Sequence, residues 1–121
     1  FNNLVKEKYD KLGMYTLNCG LDNCLISYGH DEFLYQTLIN SKTTLPTLAL
    51  KIIRYHSLYA WHEKNDYSHL ENEDDLMLKG WVKIFNSHDL YSKRTSKVHR
   101  EKVYDYYENL AKVYLPHGLC F

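Results

Sequence analysis

The sequence contains no apolar run near the roughly 20 residues that a membrane-spanning helix needs, and no basic-then-apolar start typical of a secretory signal. It also lacks an excess of charge of either sign, because 15 lysines and arginines balance 15 aspartates and glutamates. A neutral chain has no net field that would draw it to nucleic acid or to an anionic membrane. We therefore expect a soluble, cytoplasmic protein that binds neither.

Cysteine is scarce as well. The three cysteines, Cys19, Cys24 and Cys120, form neither a CxxC pair nor an even set. This argues against a disulfide framework and a thiolate zinc site, and it favours a reducing compartment. An initiator methionine is also missing, because the chain starts at Phe1. The 121 residues suit one domain or part of one, and this start favours a fragment.

The strict apolar and polar alternation of half-buried strands is absent from every window of useful length. Apolar residues recur instead at three- and four-residue steps, which predicts an all-α fold of about four helices. Asp22 is the predicted cap of the first helix and Thr44 that of the second. The polar stretch 63–75 is predicted to be a connection whose last carboxylates favour a helix start. The first predicted helix runs from its cap at Asp22 to about Asn40, the stripe of the second is continued by His56, that of the third reaches Asp89, and the fourth helix runs from about Val98 to Leu115.

Three ionisable residues, His30, His56 and Asp89, continue the apolar stripes of three different predicted helices. Buried ionisable groups lose hydration unless something pairs with them, so three groups that converge in one core would suit a cation. Two imidazoles and a carboxylate are typical of non-haem iron, although zinc or manganese would accept them too. The stripes themselves are Ile26, Phe33, Leu34, Thr37 and Leu38; Leu45, Leu48, Ala49, Ile52 and Ile53; Leu78, Trp81, Val82 and Phe85; and Val103, Tyr106, Tyr107, Leu110 and Tyr114.

A more ordinary interpretation stays open beside the metal site. A single histidine on an apolar face is usually a core residue that is hydrogen-bonded to a neighbour, and no local ligand spacing such as HExxH is present. Asp31 and Glu32 are predicted to be a polar-face pair, and His88 points about 100 degrees around the helix from Asp89. Solvated or capping roles are predicted for His62, His69, His99 and His117.

A series of motifs runs from about Leu12 onward: LGMY at 12–15, CGLD at 19–22, YGHDEFLYQ at 28–36, IIRYHSLYAWH at 52–62, DYSHL at 66–70, DLMLKGWVKIFN at 75–86 and DLYSK at 89–93. In this order they resemble the myo-inositol oxygenase family. The resemblance covers almost all of this chain but less than half of a full-length family member. It implies that residues 1–121 are the C-terminal part of a single catalytic domain, with a partial HD-domain-like helical bundle and the upstream half absent.

The resemblance also implies a site. His30 and His56 would be terminal ligands of one iron of a di-iron pair, and Asp89 would bridge both irons. His56, Ser57 and Lys93 match positions that contact or flank the bound inositol. Without the family match, Ser57 and Lys93 would be interpreted as ordinary helix-surface residues.

The family cleaves a carbon–carbon bond of myo-inositol with dioxygen to give D-glucuronate. Its other iron ligands, a histidine and a His-Asp pair, belong upstream of the region present here. The resemblance therefore implies an enzyme in the full-length parent, and a fragment that is incompetent alone. No catalytic residue beyond the metal ligands is expected.

Two other functions stay open. An HD-domain phosphohydrolase uses related metal geometry to hydrolyse phosphate esters, but its defining His-Asp pair is absent from this stretch. A non-catalytic helical interaction module would instead bind a partner through an exposed core face. Iron assays with inositol against a nucleotide panel separate the two enzymes, and stable metal-free behaviour supports the module.

Overall fold

A computed structural model describes residues 12–89, 100–115 and 117–118, with the side chains of 89 and 100–102 left out. Within those residues the chain is all-helical and contains no strand, so the predicted all-α class is confirmed. No described helix combines the length and the apolar character that crossing a bilayer requires. The α-helices are α1 (His30–Asn40), α2 (Thr47–Tyr55), α3 (Tyr59–His62), α4 (Glu73–Asp89) and α5 (Arg100–Tyr114), with 3-10 turns at Leu21–Asn23 and Ser68–Leu70.

The four predicted helices correspond to α1, α2, α4 and α5, and the single-turn helix α3 was not predicted. α1 packs against α2, and α4 packs against both α2 and α3. The second and third predicted helices are therefore neighbours in space, although a polar connection separates them in sequence. This arrangement places the C-terminal end of α2 between α1 and α4.

The first helix begins at His30, so the predicted start at Asp22 is wrong. The Asp22 carboxylate caps no helix, because side chains of α2 occupy it. The Tyr55 hydroxyl donates to Asp22 Oδ1 at 2.6 Å, and Lys51 Nζ lies 2.9 Å from Asp22 Oδ2. Residues 25–29 then run without helical structure up to α1.

Thr44 does not cap α2 either, because Pro46 occupies the N-cap position. The Thr44 hydroxyl donates to the carbonyl of Val113 at 3.0 Å, and the Thr43 hydroxyl donates to that of Tyr114 at 2.6 Å. The last carbonyls of a helix lack partners within the helix. The two threonines therefore satisfy the C-terminal end of α5 instead of starting α2.

The predicted start of α4 is confirmed, with Glu73, Asp74 and Asp75 in its first turn. Asn72 and Asp75 cap it reciprocally. Asn72 Oδ1 accepts from the Asp75 amide at 2.9 Å, and Asp75 Oδ2 accepts from the Asn72 amide at 3.0 Å. The buried Asp75 carboxylate also accepts from the Leu21 amide at 2.9 Å, which bonds the first 3-10 turn to α4.

Two aromatic side chains, Tyr55 and Trp61, fill the centre of the core and contact each other edge to face. The indole Nε1 of Trp61 donates to Glu71 Oε1 at 3.1 Å, and Lys79 Nζ lies 2.6 Å from the same oxygen. The polar edge of the buried indole is therefore paired. The core cluster consists of Leu21, Tyr55, Trp61, Leu70, Leu78 and Val82.

Several positions predicted for the core are exposed. Leu38, Leu78 and Val82 are buried as predicted, but Tyr106 and Tyr107 each expose more than 60% of their surface. An apolar stripe is wider than the line along which one neighbouring helix touches it, so its flanks stay open where no second element covers them. The stripe residues that are 39–46% exposed are Ile26, Phe33, Leu34, Leu48, Trp81 and Phe85.

The thiols of Cys19 and Cys24 are free, and their sulfur atoms lie 3.7 Å apart. Burial, followed by the hydrogen bond with Cys19, raises the pKa of Cys24 to about 11. Cys24 therefore stays protonated at neutral pH, which makes it a poor nucleophile. Cys120 lies outside the described residues.

Acid sensitivity is expected from the ionic contacts that tie α2 to the first 3-10 turn. Burial raises the pKa of Asp22, but the hydrogen bonds from Tyr55 and Lys51 and the charges of Lys51 and Arg54 outweigh it, so the pKa lies below its ordinary value of 3.8. A carboxylate with a lowered pKa stabilises the folded state above its unfolded-state pKa. It loses that contribution as the pH falls through the folded-state pKa.

We predict that Asp22→Asn lowers the free energy of unfolding at neutral pH, and that the difference from the unaltered chain shrinks as the pH falls below 3.8. Urea unfolding of both proteins over a series of pH values measures that difference. Because both proteins share all other titratable groups, the contribution of those groups to the pH dependence of stability cancels in the difference. If the difference in the free energy of unfolding stays constant down to acid pH, the charge of Asp22 does not stabilise the folded state.

Candidate metal centre

The two predicted histidine ligands meet where two helix ends come together. His30 is the first residue of α1, and His56 is the C-cap of α2. Their Nε2 atoms lie 3.3 Å apart, and the ring planes are inclined by 75°. The packing of α1 on α2 therefore brings together two imidazoles that are 26 residues apart in sequence.

The tautomer of His56 follows from its second ring nitrogen. Nδ1 of His56 lies 2.6 Å from the carbonyl oxygen of Ile53. A carbonyl oxygen can only accept, so Nδ1 carries the proton and Nε2 presents a lone pair. Metal-binding histidines are commonly oriented by a hydrogen bond of this kind. The lone pair of His56 therefore points towards His30.

The distance between the imidazoles fits a shared ion. Two nitrogens that are each about 2.1 Å from one ion and about 100° apart are separated by about 3.2 Å. The observed separation of 3.3 Å matches that spacing. The same distance also fits a hydrogen bond from His30 Nε2 to the lone pair of His56. Both arrangements use the same His56 tautomer, but only the first one holds a cation.

The third predicted ligand, Asp89, is the last residue of α4. Its side chain and the whole of Lys93 lie outside the described part of the chain. Phe85, one turn before Asp89, contacts the His56 ring with the centroids 5.9 Å apart, so the end of α4 runs beside the imidazoles. Among the described side chains, no group of three or more His, Cys, Asp or Glu could hold a metal ion. The roles of Asp89 and Lys93 therefore stay predictions.

Ser57, a predicted substrate contact, is half-buried, and its hydroxyl donates to Asp31 Oδ2. The Glu32 amide donates to the other Asp31 oxygen at 2.9 Å, and the Glu32 carboxylate accepts from Arg54 Nε at 2.7 Å. Asp31 and Glu32 were predicted to be a polar-face pair, and their carboxylates do bind polar side chains, those of Ser57 and Arg54. The Ser57 hydrogen is used by Asp31, so its oxygen lone pairs are what remains for a substrate hydroxyl.

Two residues behind His56 were missed by the sequence analysis. His62 was predicted to be solvated or capping, but it is completely buried, with its Nε2 3.0 Å from the main-chain oxygen of His56. Asn86 Nδ2 lies 2.8 Å from the same oxygen. A signal for Asn86 existed, because it follows Leu78 and Val82 at four-residue steps on the buried stripe of α4. The single turn of α3 is too short to show periodicity, so nothing marked His62.

A hollow of about 170 Å³ lies elsewhere, against Tyr15, Cys24 and Leu58. Neither His30 nor His56 lines it. This hollow therefore does not provide room for a ligand at the imidazole pair.

The described residues thus define an all-helical protein in which two imidazoles from different helices lie 3.3 Å apart. The sequence model of the myo-inositol oxygenase family matches residues 2–121, and the chain belongs to that family. The resemblance found from the motifs is therefore confirmed.

Three relatives show how far the similarity extends. Inositol oxygenase 1 of Arabidopsis thaliana is 48% identical over 109 residues, which are 90% of this chain and 35% of that protein. Inositol oxygenase of Sus scrofa is 45% identical over 111 residues, which are 92% of this chain and 39% of the relative. Inositol oxygenase of Dictyostelium discoideum is 44% identical over 113 residues, which are 93% of this chain and 39% of that protein. The chain spans just over a third of the length of these relatives.

Proposed function

We propose that this chain supplies one histidine pair of the iron centre in an inositol oxygenase, an enzyme that converts myo-inositol and dioxygen to D-glucuronate. In this proposal residues 1–121 are the C-terminal part of one HD-domain-like catalytic domain, in a longer cytoplasmic protein with two irons. The observation that carries it is the 3.3 Å separation of the His30 and His56 Nε2 atoms. Membership of the family supports the choice of reaction.

Iron, when bound, supplies Lewis acidity and one-electron redox chemistry. The residues of this chain hold and orient it. His56 offers the Nε2 lone pair that its bond to Ile53 exposes, and His30 offers its ring from the first turn of α1. Asp89 is the proposed carboxylate ligand at the end of α4, which completes a set of donors suited to non-haem iron.

Substrate binding in this proposal uses residues that follow two of the ligands in sequence. Ser57 sits next to His56 and keeps oxygen lone pairs that accept from a polyol hydroxyl. The Lys93 ammonium donates to the oxygens of inositol. His56, as a metal ligand, is proposed to contact the same substrate. A small polyol and dioxygen are the proposed reactants.

The chain alone is proposed to be catalytically incompetent, because it spans just over a third of the length of its relatives. The test supplies purified chain with ferrous iron, oxygen and myo-inositol, and measures glucuronate by mass spectrometry. No glucuronate is expected. The matched control is the protein that results from extending the reading frame upstream, which is expected to form glucuronate.

Either protein can contradict the proposal. Glucuronate from the 121-residue chain would show that the chain is competent alone. A longer protein that ignores inositol but hydrolyses members of a nucleotide panel would be a phosphohydrolase, and the proposed reaction would be wrong.

A further inference from the structure

We propose that His62 and Asn86 position His56 for metal binding by holding its main-chain carbonyl oxygen. We call these two side chains and that oxygen the carbonyl clamp. The inference rests on the proposed function of the imidazole pair, because it assigns a role to residues that touch no metal themselves. His62 and Asn86 are thus positioning residues.

The clamp is defined by two donors on one acceptor. His62 Nε2 lies 3.0 Å and Asn86 Nδ2 lies 2.8 Å from the His56 oxygen. A carbonyl oxygen can only accept, so Nε2 of His62 carries the proton. The two lone pairs of the His56 oxygen accept one hydrogen bond each. The 3.1 Å distance between Asn86 Nδ2 and His62 Nε2 then joins two donors that share this acceptor.

The position of His56 explains why a clamp matters there. The last carbonyls of a helix have no partner within the helix, and His56 is the C-cap of α2. The clamp fixes the peptide group of His56, while the bond from its Nδ1 to Ile53 fixes the ring. Together these bonds determine where the Nε2 lone pair points.

The clamp also connects the helix ends that carry the proposed ligands. Asn86 lies on α4, three residues before Asp89, the last residue of that helix. Its bond to His56 therefore sets how closely the last turn of α4 approaches the end of α2. A change at Asn86 would alter the spacing of two ligands at once.

The clamp leaves two polar atoms unsatisfied, which favours a role beyond stability. Among the described residues, His62 Nδ1 and Asn86 Oδ1 are buried side-chain atoms with no hydrogen-bond partner. Glu63 Oε1 lies 3.5 Å from His62 Nδ1 without forming a hydrogen bond. A buried unpaired polar atom destabilises the fold, so such atoms call for an explanation. Apolar residues of similar size would avoid this cost, but they would release the His56 carbonyl.

The first test measures the affinity of the 121-residue chain for ferrous iron by anaerobic titration calorimetry. His62→Ala and Asn86→Ala are each expected to weaken binding about 10- to 100-fold, as is typical when a partner that orients a ligand is removed. His62→Gln keeps a side-chain N–H donor and is expected to restore the affinity to within about threefold. Ser87→Ala is the matched control, because Ser87 is exposed and its hydroxyl donates only along α4, to Ile84.

A second readout needs no metal. Long-range proton–nitrogen NMR spectra of the metal-free chain report the tautomer of the His56 ring. The unaltered chain is expected to show a proton on Nδ1, and the two alanine variants a mixture of tautomers. Leu70→Ala removes a buried core side chain that is not part of the clamp, and it serves as the control for general loss of stability.

The outcomes separate the two proposals. If neither the unaltered chain nor the longer protein binds iron, the proposed function fails, while the NMR spectra still decide on the clamp. If the unaltered chain binds iron and both alanine variants match it, or are weakened only as much as Leu70→Ala, the clamp is overturned. Should His62→Ala not fold, Asn86→Asp replaces the donor by an oxygen of the same shape and carries the same expectation.

Discussion

Replacing His30 or His56 with alanine is expected to weaken ferrous iron binding by the chain by more than about 100-fold, because each substitution removes one of two imidazole donors from a shared ion. The structure supports this expectation by the 3.3 Å between the two Nε2 atoms and by the proton on His56 Nδ1. Anaerobic titration calorimetry measures the affinity of each variant.

The matched control is His69→Ala, because His69 is exposed and lies in the 3-10 turn Ser68–Leu70, not at the helix ends that carry the pair. Its affinity for iron is expected to equal that of the unaltered chain. If His30 and His56 only share a hydrogen bond, their alanine variants would lose about 1 kcal/mol of stability and leave metal binding unchanged. Equal affinities across the three variants would therefore support that simpler interpretation.

The largest effect on stability is expected from Asp75→Ala. We predict that this substitution lowers the free energy of unfolding by about 3–5 kcal/mol. Its buried carboxylate accepts from the amides of Leu21 and Asn72, and both donors would lose their partner. Hydrogen bonds to a charged group contribute about 1.5–3 kcal/mol each. A loss of this size is a large part of the 5–15 kcal/mol that is typical of a folded domain.

Urea unfolding at neutral pH measures this loss. Asp75→Asn is the matched control, since it keeps the shape of the side chain and one acceptor oxygen, and a loss of about 1–2 kcal/mol is expected for it. A change of less than about 1 kcal/mol for Asp75→Ala would show that the Leu21 turn is held to α4 by packing alone.

Periodicity in the sequence was sufficient to predict the helical class, but not the helix starts. Asp22 and Thr44 both have the chemistry of an N-cap, and both are used elsewhere. Asp22 binds Lys51 and Tyr55 of α2, and Thr44 binds the end of α5. A capping residue satisfies whichever donors or acceptors the tertiary structure brings to it, and those long-range partners are not visible in a local pattern.

In the site, too, periodicity predicted some features, while long-range contacts decided the others. The helical stripes predicted that His30 and His56 face inward. The structure brings the two rings together, but His30 is exposed and His56 is half-buried, so the predicted burial is wrong for His30, which stands at the first position of α1. Periodicity also marks an apolar face without saying what covers it, which is why Trp81 and Phe85 were predicted for the core but are partly exposed. His62 was missed because its role depends on a carbonyl six residues earlier and on the packing of α4, and neither has a sequence signature.

The central claim is that the rings of His30 and His56 bind one iron together. X-ray absorption at the iron edge, on chain loaded anaerobically with one equivalent of ferrous ion, counts the imidazoles around the metal. Two imidazole nitrogens at about 2.1 Å are predicted for the unaltered chain, and one fewer for His56→Ala. A spectrum without imidazole scattering, or one that His56→Ala leaves unchanged, would contradict the claim.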